Sequence, residues 1–362
     1  MTGEVKFGIL SCANIARTLI SAMKLLPEVK IHAIASRSLD KVQSFAAAND
    51  VPKETKLYGS YEELLDDDEV DALYVPLPTG LHVEWVLKAA AKKKHILIEK
   101  PPAHTVKELD VMLEALQKNG LQYMDGTMWM HHPRTHKMEA VLHDSSTIGR
   151  ICEVHSTFNY SAEVAYRRKG GLSADVRGNP NLDGLGALGD IGWYCVRGIL
   201  WAYDYEMPKS VTAHPGASYN EKGVIVSCGA TFVWEDGRTA TFTTSFNTGH
   251  VMKLLVVGVN GSLENDDFVL PARADRAGFK VVSNTSWKDV LGGWNRTEDV
   301  QEVTLEIPQE AHMVREFARL VASIRDGSGA VEPRWAEISR KTQVLLDAVK
   351  ESIENGLKTI DV

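Results

Sequence analysis

The sequence predicts an α/β chain: an N-terminal doubly wound parallel sheet, then an α+β domain with a large, mostly antiparallel open sheet. Three observations predict it. Up to about residue 132, short apolar runs alternate with stretches of helical periodicity. Beyond it, long alternating runs follow in quick succession, joined by turns such as Glu235-Asp236-Gly237 and Asn260-Gly261. Helical spacing returns at the end, and 362 residues are enough for two cores. The predicted division is 1–132 with 308–362, and 133–307.

Composition narrows the function classes. Hydrophobic content of 44% and charged content of 24% are those of an ordinary water-soluble globular chain. A net charge of −8 argues against nucleic-acid binding. Cys12, Cys152, Cys195 and Cys228 show no CxxC spacing, which predicts a reducing compartment, no disulfide framework and no zinc site. No apolar signal region opens the chain, and no run approaches the roughly 20 residues of a membrane span. The expectation is a cytoplasmic protein with no membrane partner.

The first third reads as a nucleotide-binding array. Val5 to Leu10 is an apolar strand, Ala13 to Leu26 a helix with Ile15, Leu19 and Met23 on one face, and Lys30 to Ser36 a second strand. Such a βαβ unit places a diphosphate at a helix N-terminus, where free N–H groups and the helix dipole favour anions. The turn Ser11-Cys12-Ala13-Asn14-Ile15-Ala16 matches the G-x-G-x-x-G/A template only at its final small residue. Small side chains still allow close approach to phosphate where positive φ is not needed. Ser36 and Arg37 follow the second strand, where an arginine accommodates the 2′-phosphate of NADP and a carboxylate would select NAD. NADP is the expected cofactor, with NAD open.

Helices follow at Leu39 to Asn49 and Tyr61 to Leu65, and an apolar strand at Ala72 to Val75. Pro76, Leu77 and Pro78 then forbid helix and shape a loop beside the cofactor. His82 to Lys93 is helical, His95 to Ile98 a strand, Val106 to Lys118 helical and Gln122 to Thr127 a strand. Alternation of this kind predicts a Rossmann-type parallel sheet with right-handed crossovers. Glu99-Lys100-Pro101 closes the strand from His95. A lysine just past the carboxyl end of a buried strand sits where open α/β sheets bind ligands, and where desolvation can bring its pKa toward a catalytic value. The reading places Lys100 against the nicotinamide. His82, His131 and His132 lack ligand spacing, and no metal is expected.

In the second part Ile151 to Tyr160, Val224 to Trp234, Thr239 to Asn247, His250 to Val259 and Ser262 to Leu270 read as strands. A sheet face of this size, uncovered by helices, favours a homodimer. Within Asp183 to Trp201 the spacing is helical from Ala187, which puts Asp190, Tyr194 and Arg197 on one face. Helices at His312 to Arg325 and Trp335 to Asn355 are expected to pack back on the first domain.

Together these residues resemble the glucose-fructose oxidoreductase and inositol dehydrogenase (Gfo/Idh/MocA) family of NAD(P)-dependent oxidoreductases. Glu99-Lys100-Pro101, the Pro78 to His82 segment, the run Gly186 to Tyr194 and the run Gly258 to Leu263 carry the likeness, which covers nearly the whole chain. The nearest branch is the dihydrodiol dehydrogenase and NADP-xylose dehydrogenase type. The resemblance implies Lys100, Asp190 and Tyr194 as catalytic residues, with Tyr194 the general acid/base, Lys100 favouring its phenolate, and Asp190 orienting Lys100 or a substrate hydroxyl. It implies a cofactor site of Ser11, Cys12, Ala13, Asn14, Ile15, Ser36, Arg37, Pro76, Leu77, Pro78, His82, Glu99 and Lys100. Trp129 and Arg197 are the implied substrate contacts, and the substrate a small carbohydrate, polyol or diol. The chain departs from the family where Asp125 stands for a glutamate and Met130 for an arginine, and where the phosphate loop lacks its glycines. The rival expectation is a non-catalytic NADP-binding sensor or scaffold on the same fold.

Overall fold

The first eleven elements of the chain alternate strictly after the opening strand. They are β1 (Val5–Leu10), α1 (Asn14–Met23), β2 (Val29–Ala35), α2 (Leu39–Ala48), β3 (Lys56–Tyr58), α3 (Tyr61–Leu65), β4 (Ala72–Val75), α4 (His82–Ala91), β5 (His95–Ile98), α5 (Val106–Lys118) and β6 (Tyr123–Asp125). This computed structural model describes residues 4–167, 171–172, 175–288 and 292–362. Local chemistry starts the helices: Ser38 caps α2 through the Lys41 N–H, Ser60 and Glu63 form a capping box on α3, and Thr105 caps α5. β1 and β4 are buried almost throughout, as strands covered on both faces must be. A Cβ at Gly8 would lie 2.7 Å from Leu64 Cδ2, so glycine lets α3 press onto β1.

All five pairings in this sheet are parallel, in the order β3-β2-β1-β4-β5-β6. The order reverses between β1 and β4. Right-handed crossovers then leave for opposite faces, and a crevice opens beyond the carboxyl ends of those two strands.

The chain continues through α6 (Pro133–Leu142), β7 (Ile151–Ser161), the single turns α7 (Ala162–Ala165) and α8 (Pro180–Asp183), and α9 (Trp193–Ala202). Then come β8 (Ser210–Ala213), β9 (Ser218–Tyr219), β10 (Ile225–Val233), β11 (Thr239–Ser245), β12 (Asn247–Gly258), β13 (Ser262–Asn265), β14 (Arg276–Trp287) and β15 (Trp294–Thr304). The chain closes with α10 (Gln309–Arg325), α11 (Arg334–Glu354) and β16 (Ile360–Asp361). The second sheet has the order β15-β14-β13-β12-β7-β11-β10-β8-β16, with β9 beside β10. Its pairings are antiparallel except that of β7 with β11, which is parallel. A long excursion through α9 and β10 separates those two strands, and only such a connection permits parallel pairing. Every residue of α9 is buried.

Two compact units result. The first ends at His131 and takes in Ile307–Arg340, while the second holds His132–Glu306 and Lys341–Val362. The expected return of 308–362 to the first domain therefore applies only as far as Arg340. The remainder belongs with the second sheet because β16 pairs with β8, and Ser352 Oγ accepts the Ala213 N–H at 2.9 Å.

His95, at the start of β5, carries a pH dependence. Burial holds its pKa down to about 4, and its Nδ1 accepts the Gln122 N–H at 2.9 Å, a bond that protonation would break. Above about pH 6.5 the ring is neutral folded and unfolded. Below it only the unfolded state gains the proton, so stability falls as the pH drops from about 6.5 and levels off near 4. The loss is up to about 3 kcal/mol. Urea midpoints across this range should show it in the native chain, and the step should shrink in His95→Gln.

Candidate functional site

In the first unit the strand ends bring several expected residues together. The Tyr61 hydroxyl, at the start of α3, hydrogen-bonds the Ser11 side chain and lies in the field of Arg37. Burial nevertheless pushes the Tyr61 phenol pKa up. Burial also raises the Cys12 thiol, against the pull of a Ser36 hydrogen bond and the Lys41 charge. Ser11, Cys12, Ser36 and Arg37 are thus neighbours at the ends of β1 and β2. Sequence reasoning missed Tyr61 and Lys41, since no local pattern ties the starts of α3 and α2 to a loop that lies fifty positions before the one and twenty-nine before the other.

Ser11 has φ 136, a conformation that glycine adopts freely and serine rarely. The sequence reading allowed small residues here if positive φ were not required. It is required, so the loop keeps the glycine backbone without the glycine. α1 begins after Ala13 with no side-chain cap, and no acidic residue stands in its first turn. Its first N–H groups and the positive end of its dipole are available to an anion. This fits the diphosphate of a dinucleotide.

The neighbouring strand ends supply the next group. Pro76 and Leu77 are buried after β4. His82 is 1% exposed, with its ring nitrogens 2.8 Å from the Leu77 carbonyl and 3.0 Å from that of Pro102. It staples the loop after β4 to the loop after β5. Glu99 is half-buried and accepts the hydroxyl of Tyr74 at 2.5 Å. Lys100 stands half-buried beside it, before a cis peptide to Pro101. Asp125, buried at the end of β6, accepts from the Thr127 N–H at 3.0 Å and from the hydroxyls of Thr127 and Ser339. That carboxylate is a structural knot. Trp129, on the turn after β6, is fully buried.

In the second unit Gly186 has φ +55, and a Cβ there would lie 2.1 Å from the Ile225 carbonyl, so only glycine fits. Leu188–Gly192 is a π-helical turn that runs into α9, so the expected regular helical face does not continue through Asp190. Such wide turns recur at functional sites. The Asp190 side chain, 12% exposed, accepts the Tyr160 hydroxyl at 3.0 Å and pairs with Arg177 Nε at 2.9 Å. The Tyr166 hydroxyl lies 3.0 Å from that of Tyr160, and the Arg177 guanidinium lies over the Tyr166 ring. Asp190 raises the Arg177 pKa well above its ordinary value, while burial drives that of Tyr160 far up. Both therefore stay protonated donors around the carboxylate. Tyr194 is buried, with its ring 5.9 Å from Phe158. Arg197 is fully buried, donates Nε to Thr342 Oγ1 at 2.7 Å and lies over Trp193.

Sequence reasoning missed Tyr160, Tyr166 and Arg177. Tyr160 alternates correctly on β7, but only the fold shows which polar group it faces. Among the described residues one group has metal-ligating geometry: His32, Asp67 and Glu69. Lys56 Nζ already lies 3.1 Å from Asp67 and 2.7 Å from Glu69, so an ammonium supplies the positive charge there.

Residues 5–127 match the model described as "Oxidoreductase family, NAD-binding Rossmann fold" (GFO_IDH_MocA), and residues 139–264 match the GFO/IDH/MocA C-terminal domain. A D-xylose 1-dehydrogenase (NADP(+)) from Haloferax volcanii is 32% identical over 71% of this chain and 74% of its own length. A dTDP-3,4-didehydro-2,6-dideoxy-alpha-D-glucose 3-reductase from Actinomadura kijaniata is 29% identical over 96% of this chain and 95% of its own. The crystal structure of a 3-ketoreductase from that organism, in complex with NADP and TDP-benzene, matches with a TM-score of 0.79 at 26% identity, covering 96% of this chain and 98% of that one.

Arg177 is the test of the carboxylate site. Arg177→Met removes the guanidinium from Asp190 and should lower stability by roughly 1–3 kcal/mol. The measurement is the shift of the urea midpoint, with Arg177→Lys recovering part of the loss.

Proposed function

Because the chain belongs to the GFO/IDH/MocA family of oxidoreductases, we propose that it transfers a hydride between a nicotinamide dinucleotide and a hydroxyl or carbonyl of a sugar, polyol or diol. The observation that carries this reading is the gathering of Ser11, Cys12, Ser36 and Arg37 at adjacent parallel strand ends beside the uncapped start of α1. With the dinucleotide bound by these residues, its nicotinamide would supply the hydride or accept it.

The chain's own residues do the rest. The first N–H groups of α1 hold the diphosphate. Exposed Arg37, at the end of β2, holds the 2′-phosphate of NADP, in agreement with the relatives named or solved with that cofactor. The Tyr74–Glu99 hydrogen bond fixes the residue before Lys100. Tyr194 gives its proton to the substrate oxygen in reduction and takes it back in oxidation. A free phenol has a pKa of about 10, so it needs a nearby cation to work near neutrality. Lys100 is that cation in this reading. Solved structures of the Actinomadura ketoreductase include variants at one tyrosine and at one lysine, which supports a pair of these types. Asp190, held by Tyr160 and Arg177, fixes the turn that leads to Tyr194.

Two measurements test the reading. Tyr194→Phe should retain cofactor binding by fluorescence and lose about 10²–10⁴-fold in kcat across a panel of sugars and diols. Unchanged turnover would remove Tyr194 from the chemistry. Cofactor bound by the native chain without turnover on the whole panel would favour a sensor. Arg37→Ala should weaken NADP far more than NAD, and an equal loss for both would contradict its role at the 2′-phosphate.

A further inference from the structure

β15 ends the order of the second sheet. It pairs with β14 on one side, and no described strand pairs with the other. It is 11 residues long, and all but two of its residues are exposed. Natural edges are usually short, bulged, charged, proline-bearing or covered, and of these protections β15 has the charges of Arg296, Glu298, Asp299 and Glu302. β15 has no proline, and the register shift in this hairpin falls between Ser283 and Ser286 on β14. The edge also carries apolar surface. Trp294 is 58% exposed, Val300 68%, and Trp287, opposite Trp294, 63%. The two indole rings lie 5.1 Å apart at 84°. An aromatic pair left in solvent at an open strand edge is the composition of an interface.

We propose that β15 pairs antiparallel with β15 of a second copy of this chain, about a two-fold axis at Thr297, joining the two sheets edge to edge. The charge pattern selects both occupant and register. A two-fold axis perpendicular to the sheet keeps every side chain on its own face, so the axis must fall at a residue facing its own copy. At Arg296 it would oppose two arginines, at Glu298 two glutamates, and at Asp299 two aspartates. At Val300 it would oppose Glu298 to Glu302. Like charges placed directly opposite destabilise a sheet. At Thr297 every pair is compatible. Arg296 meets Glu298 twice, Trp294 meets Val300 twice, Asn295 meets Asp299 twice, and the threonines face each other. Within one chain Arg296 already lies 2.5 Å from Glu298, so the assembly would close a ring of four alternating charges. Within β15 this is the one register that sets opposite charges face to face with no like pair. The inference concerns an edge, whereas the sequence suggested a dimer through the sheet face. It does not depend on the redox reading, because association is measured without turnover.

The test uses the full chain. Antiparallel partners sit about 4.5–5.5 Å apart at Cα, within disulfide reach. Thr297→Cys should form a covalent dimer on mild oxidation, while the native chain and Glu302→Cys, well away from the axis, should not. In sedimentation equilibrium Arg296→Glu and Glu298→Arg should each weaken the dimer about tenfold or more, and the double swap should restore it. A native chain that stays monomeric at tens of micromolar overturns the proposal. So does a dimer that neither cross-links through residue 297 nor responds to the swaps.

Discussion

One topological constraint organises the first unit: its six parallel strands must be covered on both faces. Right-handed crossovers meet that demand only if the chain winds outward in two directions from a central pair. β1 and β4 are that pair. Their carboxyl ends cannot both be roofed by the helices they feed, so the crevice is a by-product of burying the sheet. Chemistry then follows position. The loop after β1 meets an uncapped helix start, the loop after β2 presents an arginine, and the strand next to β4 ends in a glutamate and a lysine.

A second regularity recurs within each unit taken by itself. Three carboxylates with little access to water receive a tyrosine hydroxyl, Glu99 from Tyr74, Asp190 from Tyr160 and Asp67 from Tyr58, while Asp125 takes the hydroxyls of Thr127 and Ser339. A desolvated carboxylate must be hydrogen-bonded or neutralised. A phenol does this from a rigid ring with few rotamers to lose. At Asp67 and Asp190 a cation joins the phenol, Lys56 in one and Arg177 in the other.

Two departures from ordinary backbone geometry bear on the functional reading. Ser11 holds a backbone angle suited to glycine, and the π-helical turn at Leu188–Gly192 interrupts a regular helix. Both lie at positions where the functional reading places its chemistry. Each costs conformational energy that surrounding packing must offset. Around the turn that packing is dense: α9 is buried along its whole length, and Gly186 lets the chain approach β10 more closely than any side chain would permit.

The sequence by itself determined the fold class, the order of elements and the family, because all three rest on local periodicity and contiguous motifs. Val5 to Leu10, His95 to Ile98 and the glycine run into Tyr194 announce themselves within a few residues. It also pointed to Ser11, Cys12, Ser36 and Arg37, because strand ends followed by turns are a local signal. Tertiary structure alone decided the partners. That Asp190 is held by Tyr160 and Arg177, that Arg197 donates to Thr342, and that Lys341–Val362 leaves the first unit are contacts between distant positions. The parallel pairing of β7 with β11 is of the same kind. Periodicity records which face of an element is buried, but not which residue lies across from it. That is set by packing, and packing is a property of the whole chain.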